Sequence, residues 1–314
     1  MPNRKLVSTR VHDLFAHERQ KIVQLLTRAK YVALTADYWT SAANDSYLGV
    51  TAHFIDEDWT LHSFALGCQC TEERHYSEVC AEHFKAVADE WNIFAKVTTF
   101  GTDNARNMTA AVALLPSFEH MPCIAHSLQL SVNKAIDAAG VDGVLKKCRK
   151  IVGHFKHSPA NSVELEEHQR RLNRKPEVLI QDVATRWNST LLMIQRIVDN
   201  KEPVLATLSD PQHKHSLALP KEADWEKRRI LQSLLEPSRY ATELLGGERY
   251  ISCSVILPTF CHLFHAMEPS DDDPAYVVRF KETFVADLQA GKESLNLPWL
   301  KVATALDPRF KLLK

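Results

Sequence analysis

Tyr31-Val-Ala-Leu-Thr-Ala-Asp37 and Lys96-Val-Thr-Thr-Phe-Gly-Thr-Asp103-Asn104 decide how the rest of the chain is read. Each is a short apolar run with β-branched residues that ends on an aspartate where a turn begins, which is a strand signal. A carboxylate at the end of a buried strand is costly unless something pairs with it, so two such residues invite a shared metal. Ordinary turn chemistry suits them as well: Asp37 as the cap of a turn and Asp103 as the N-cap of a helix starting at Asn104.

Around these runs the pattern is regular. Residues 11–30 place Leu14, Phe15, Ile22, Leu25, Leu26 and Ala29 on one helical stripe. Three strand-like runs follow, at 31–40, 47–55 and 59–70, separated by short polar turns that imply an antiparallel meander. Helical spacing at 77–91 leads into the strand that carries Asp103, then a helix to Leu115, a short run at 120–123 and a helix over 124–139. A helix that crosses over the sheet brings the next strand back parallel to the first, so Asp37 and Asp103 are expected on adjacent strands. Beyond Val141 strands nearly vanish. Amphipathic helices are expected over 144–157, 162–172, 187–198, 225–245, 254–267 and 276–288, with breakers at Ser158-Pro159, Ser209-Asp210-Pro211, Gly246-Gly247 and residues 269–274.

With 314 residues, 45% of them hydrophobic and 25% charged, the chain has material for a large core. No apolar run reaches the roughly 20 residues that span a bilayer, and the opening residues lack a signal-peptide core, so no membrane partner and an intracellular setting are expected. Seven cysteines without regular spacing argue against a disulfide framework. The net charge is −1, which leaves only local basic surplus for nucleic acid. Residues 146–175 hold nine Lys or Arg against three Glu, and residues 1–30 hold seven against two acids. Such runs serve phosphate contact or simply solvate helix faces.

Four motifs follow in order: Thr35-Ala-Asp37-Tyr-Trp39-Thr-Ser41, Thr102-Asp103-Asn104-Ala105-Arg-Asn107-Met108, Cys123-Ile-Ala-His126-Ser-Leu-Gln-Leu130 and Asp182-Val-Ala-Thr185-Arg186-Trp187-Asn188-Ser189-Thr190. With the ending Trp299 to Lys311, they resemble the transposases of the hAT superfamily and their host-adopted relatives, the BED-type zinc-finger proteins. The resemblance implies an α/β fold: a ribonuclease H-like mixed sheet flanked by helices and interrupted by a large all-α insertion. On that reading residues 1–200 form the core and 201–314 the insertion. Asp37 and Asp103 correspond to the family's first two metal-binding acids, for Mg²⁺. The third, a Glu in a Ser-Glu-Arg-like motif, is expected beyond Lys314, since Glu282 and Glu293 lack its context.

The resemblance also implies that His126, Arg186 and Trp187 contact DNA, that the protein resides in the nucleus and that it dimerises through a segment outside this chain. From the residues alone, Cys123 and His126 suit a buried thiol and a hydrogen-bonded imidazole, and Trp187 suits a core aromatic. No structural zinc site is expected, because Cys123-x-x-His126 lacks two further ligands at suitable spacing and no BED finger is present. Three functions remain open: a DNA-binding, chromatin-associated regulator that no longer cuts; a Mg²⁺-dependent transposase completed by a third acid; and a protein-interaction scaffold.

Overall fold

The computed structural model describes residues 3–115, 118–183, 186–210, 217–247 and 253–311. They fall into two compact units, one running to Ser127 and also taking in Gly247, the other beginning at Leu128.

The first unit opens with α1 (Arg4–Arg28), N-capped by the Asn3 side chain, which accepts from Leu6 N at 2.8 Å. Its C-terminal carbonyls are satisfied by Lys96, whose Nζ donates to Leu26 O at 2.9 Å and Thr27 O at 2.7 Å. Strands β1 (Val32–Thr40), β2 (Ser46–Ile55) and β3 (Leu61–Thr71) form the expected antiparallel meander. Its first turn is fixed by Ser41 Oγ, which accepts from Ala43 N and Asp45 N, and its second by Asp56 Oδ1, which accepts from Asp58 N and Thr60 N. Helix α2 (Ser77–Glu90) then crosses back to β4 (Val97–Thr102), and α3 (Arg106–Ala113) leads to β5 (Glu119–Pro122). The sheet order is β3-β2-β1-β4-β5, with β4 parallel to both β1 and β5. This is the mixed sheet the sequence implies.

Alternation on β1 and β2 explains the core. Val32, Leu34 and Ala36 share a face with Leu48, Val50, Ala52 and Phe54, and together with Phe100 of β4 all are buried in one cluster with Phe84 and Val87 of α2. Phe84 and Phe100 stack with centroids 4.5 Å apart, and Trp91 donates its indole N–H to Leu66 O. The α1 stripe is only half used. Leu26 and Ala29 are buried, but Leu14 and Phe15 are 61% and 65% exposed, because only the last turns of this long helix reach the sheet's core.

Helix α4 (Ile124–Ala139) is followed by α5 (Asp142–Lys156), α6 (Pro159–Arg171), α7 (Trp187–Asp199), α8 (Lys201–Leu208), α9 (Glu222–Leu245), α10 (Cys253–Ala266), α11 (Ala275–Glu293) and α12 (Leu297–Leu306). Among the described residues beyond Val141 there is no strand, as the periodicity requires. Two helices are additions to the sequence reading. Pro203 and the short length of α8 hide its pattern, and α12 carries Pro298 in its first turn, where the missing N–H is harmless. The core of this unit is built on Trp187, Leu191, Ile194, Trp225, Leu235, Phe280 and Phe284. Residue 200 falls between α7 and α8, inside this unit, and the break in packing lies between Ser127 and Leu128. Pro211 of the expected breaker lies outside the described residues.

Candidate active site

The pairing of β1 with β4 runs through Thr35 opposite Gly101. Two residues further along, the chain reaches Asp37, still within β1, on one side and Asp103, just past the end of β4, on the other; neighbouring strands lie about 4.8 Å apart, and the charge of Asp103 acts on Asp37. Gly101 belongs to this arrangement: a Cβ there would meet Thr35 Cγ2 at 3.1 Å. Asp37 lies inside β1 opposite Gly49, on the face away from Leu34 and Ala36, rather than capping a turn. Asp103 accepts from Ala105 N at 3.1 Å, and the helix after it starts at Arg106, so its carboxylate stabilises the turn and is not the N-cap expected at Asn104.

The electrostatic consequence is one-directional. Asp37 is open to solvent as a residue, yet atoms crowd its carboxylate. That desolvation, followed by the charge of Asp103, raises its pKa above the usual range, with the Tyr38 backbone and the His126 imidazole offsetting part of the rise. A divalent cation between the acids would remove the repulsion. Among the described residues neither acid belongs to a group of three Asp, Glu, His or Cys side chains whose donor atoms all lie within 4.8 Å of one another.

The Cys-x-x-His motif is tied to the same strand end. Cys123 N donates to Thr102 O at 2.7 Å, and Asn104 Nδ2 donates to Ser127 Oγ at 2.7 Å. Cys123 is exposed as a residue, not the buried thiol its apolar surroundings in sequence suggest, yet atoms crowd its sulfur, and that desolvation raises the thiol above its ordinary pKa; the backbone N–H groups of His126 and Ala125 oppose this, and Asp37 and Asp103 add to it. A thiol held in the neutral form is a poor metal ligand. His120 is shifted the other way, down, by burial, while Asp103 opposes the shift; its Nε2 lies 2.9 Å from Thr102 Oγ1. The first unit therefore gathers Asp37, Asp103, Cys123 and His126 at one end of the sheet.

Sequence reasoning gave no role to Trp39, two residues beyond Asp37 on the same face of β1. Its ring lies over Gly49, where a Cβ would come within 2.8 Å of it, and it stacks on Tyr47 with centroids 5.8 Å apart. The period of two was the available signal. Tyr38, on the opposite face, is held by His83 Nδ1 at 2.9 Å and lies against the His75 ring. Asn107 Nδ2 donates to His75 O at 2.9 Å, which fixes the start of α3 to the entry of α2.

Arg186 and Trp187 belong to the helical unit. Arg186 is exposed before α7, whereas Trp187 is 1% exposed and fills the core, its backbone N–H donating to Gln129 Oε1. Ala184 and Thr185 of this motif lie outside the described residues. Asp182 carries the local structure: Arg149 Nε and Nη2 donate to it at 3.0 and 2.7 Å, and Thr190 Oγ1 donates at 3.3 Å. Burial pushes its pKa up, but these donors outweigh burial and hold the carboxyl below its usual range.

Two families match the chain. The ZBED1 RNase-like domain matches residues 35–129, and the ZBED1 RNase-like helical domain matches residues 121–234. The chain is 27% identical over 317 residues to a Zea mays protein named AC transposase, with 96% of this chain and 39% of that protein covered. It is 25% identical to a Talaromyces stipitatus protein named transcriptional regulator tpeD, covering 99% and 40%, and 24% identical to zinc finger BED domain-containing protein RICESLEEPER 2 of Oryza sativa subsp. japonica, covering 96% and 44%. The chain thus spans well under half the length of these relatives.

Proposed function

Because this chain is a relative of the hAT transposases, with an RNase-like sheet domain and an RNase-like helical domain, we propose that it is a transposase-derived nuclear DNA-binding protein. In this reading it acts in regulation rather than in DNA cleavage. The carrying observation is that the parallel pairing of β1 with β4 stops two residues short of Asp37 and Asp103, and that the charges of Asp103 and His126 both act on Asp37.

The donor set fits Mg²⁺. Two neighbouring carboxylates, with the charge of Asp103 acting on Asp37, suit a hard cation that keeps several waters and accepts phosphate oxygens as further ligands. When bound, Mg²⁺ would supply charge neutralisation and a Lewis acid for phosphodiester chemistry. Asp37 and Asp103 would hold it, and His126 would favour a nearby phosphate. Exposed Arg186 is suited to bidentate phosphate contact. Trp187, enclosed by helices, supports the packing that presents Arg186. The regulatory part of the reading draws on the relative named a transcriptional regulator, and nuclear residence and a homodimer are proposed with it.

A second reading, an active Mg²⁺-dependent transposase, is favoured by one observation: Asp37 stands beside Asp103 although desolvation and the charge of Asp103 work against its ionised form. Manganese titration followed by electron paramagnetic resonance tests the shared site. Wild-type protein should bind Mn²⁺ competitively with Mg²⁺, and Asp37→Ala with Asp103→Ala should abolish that uptake; equal uptake by both would sink the proposal. Nicking of supercoiled plasmid in Mg²⁺ by wild type, lost in the double variant, would install the enzyme reading instead.

A further inference from the structure

Among the described residues one trio of Asp, Glu, His and Cys side chains brings its donor atoms within 4.8 Å of one another, and it lies in the helical unit: Glu164, His168 and Asp210. Glu164 and His168 stand one turn apart on the same face of α6. Asp210 follows α8, where its N–H donates to Thr207 O at 3.1 Å. Neighbouring contacts hold the two helices. Gln169, fully buried, donates to Asn200 Oδ1 at 2.7 Å just before α8, and to Glu177 O at 2.9 Å.

The imidazole is the unusual member. His168 Nε2 is shut off from solvent and makes no hydrogen bond, while Asp210 Oδ2 stands 3.9 Å away, beyond hydrogen-bond reach. A ring nitrogen enclosed beside two carboxylates with nothing on it is a donor atom waiting for a Lewis acid or a proton. Bonds of about 2.0–2.2 Å to a tetrahedral Zn²⁺ put ligand atoms about 3.4 Å apart. Closing the trio from its present spacing needs side-chain movements of about an ångström, which rotamer adjustment of an aspartate and a glutamate can supply. One imidazole with two carboxylates favours Zn²⁺ over Mg²⁺, which prefers an all-oxygen shell.

We infer that Glu164, His168 and Asp210 form a Zn²⁺ site that clamps α6 to the end of α8, with water in the fourth position. It shares no residue with the acid pair and stands whether or not Asp37 and Asp103 hold Mg²⁺. Sequence reading passed over it because zinc was sought around cysteines, and a Glu-x-x-x-His pair with a remote aspartate has no spacing signature.

The test is titration of the chelator-stripped full chain with Zn²⁺ alone, read by calorimetry and by thermal melting. One equivalent should bind and raise the Tm, a tenfold excess of Mg²⁺ should not compete, and His168→Ala and Asp210→Asn should each weaken binding at least about tenfold. Failure of wild type to take up Zn²⁺, or unchanged affinity in His168→Ala, overturns the proposal; the second result would shift the binding to other residues such as the sequence's His213 and His215. Should His168→Ala not fold, Co²⁺ added to wild type decides: visible ligand-field bands that Asp210→Asn alters support the site, and their absence or insensitivity refutes it. Asp37→Ala with Asp103→Ala should leave Zn²⁺ uptake unchanged, which separates this outcome from that of the Mg²⁺ reading.

Discussion

Asp37 carries a conflict that is absent in the unfolded chain, and the conflict has a sign. Desolvation and Asp103 raise its folded-state pKa above the unfolded value, so the folded protein holds the proton more tightly. Between those two pKa values stability falls as pH rises, and above the folded one the loss is complete. Asp37→Asn removes the conflict. In chelator at pH 7 this variant should melt above wild type, and the difference should vanish below about pH 4, the ordinary carboxylate range. Added Mg²⁺ should narrow or reverse the gap, since only wild type gains a ligand. Melting curves across pH check this; a variant less stable than wild type in chelator would show that the carboxylate is stabilising and contradict the clash. This placement was legible in the sequence because strand alternation and a parallel crossover together dictate it. Trp39 was equally accessible to the same period-of-two argument. The Asx-type contact of Asp103 was not, because Asn104 and Ala105 can start a helix or extend the turn with nearly equal ease.

At the scale of elements, long amphipathic stretches were readable and clamps between them were not. A 3.6-residue period names a buried face but says nothing of which distant loop docks on it, and the Asp182–Arg149 pair joins residues 33 apart in sequence. Asp182 has 2% of its side chain exposed, and Arg149 has 36%. Removing the carboxylate leaves a partly buried guanidinium without its partner and frees the segment before α7. Asp182→Ala should therefore lose about 2–4 kcal/mol in urea unfolding, less than a fully enclosed pair because water still screens Arg149. The pH dependence runs opposite to that of Asp37. The folded pKa of Asp182 is depressed, so its stabilisation is present above about pH 4 and is lost as pH falls through the folded value. Wild type and variant should thus converge in acid. A loss below about 0.5 kcal/mol at pH 7, the range of neutral surface changes, would assign the docking of this segment to Trp187 and Leu191 alone.

For the molecule as a whole the open quantity is how much of its positive charge is available to phosphate. Counting the sequence alone assigns nine cations to residues 146–175, but the structure removes several from that reserve. Lys147 pairs with Asp224, Arg149 with Asp182, Arg170 with Glu166, Arg171 with Glu167 and Arg174 with Glu202. Lys146, Lys150, Lys156 and Lys175 are exposed and stand outside these pairs. With a net charge of −1 there is no global attraction to add. If those four lysines make the phosphate contacts, log K for duplex DNA should fall against log salt with a slope of about −3 to −4. Engaging all nine cations would instead steepen it to about −8 and would require the carboxylate partners to let go. Lys146→Gln with Lys150→Gln should flatten the slope by about 2 and weaken binding to all duplex sequences alike, because phosphate contacts position without reading bases. Fluorescence anisotropy on one duplex between 50 and 300 mM salt, roughly the window where counterion release dominates, decides between these values. A flat line in wild type would show that the basic run serves only to solvate its helices.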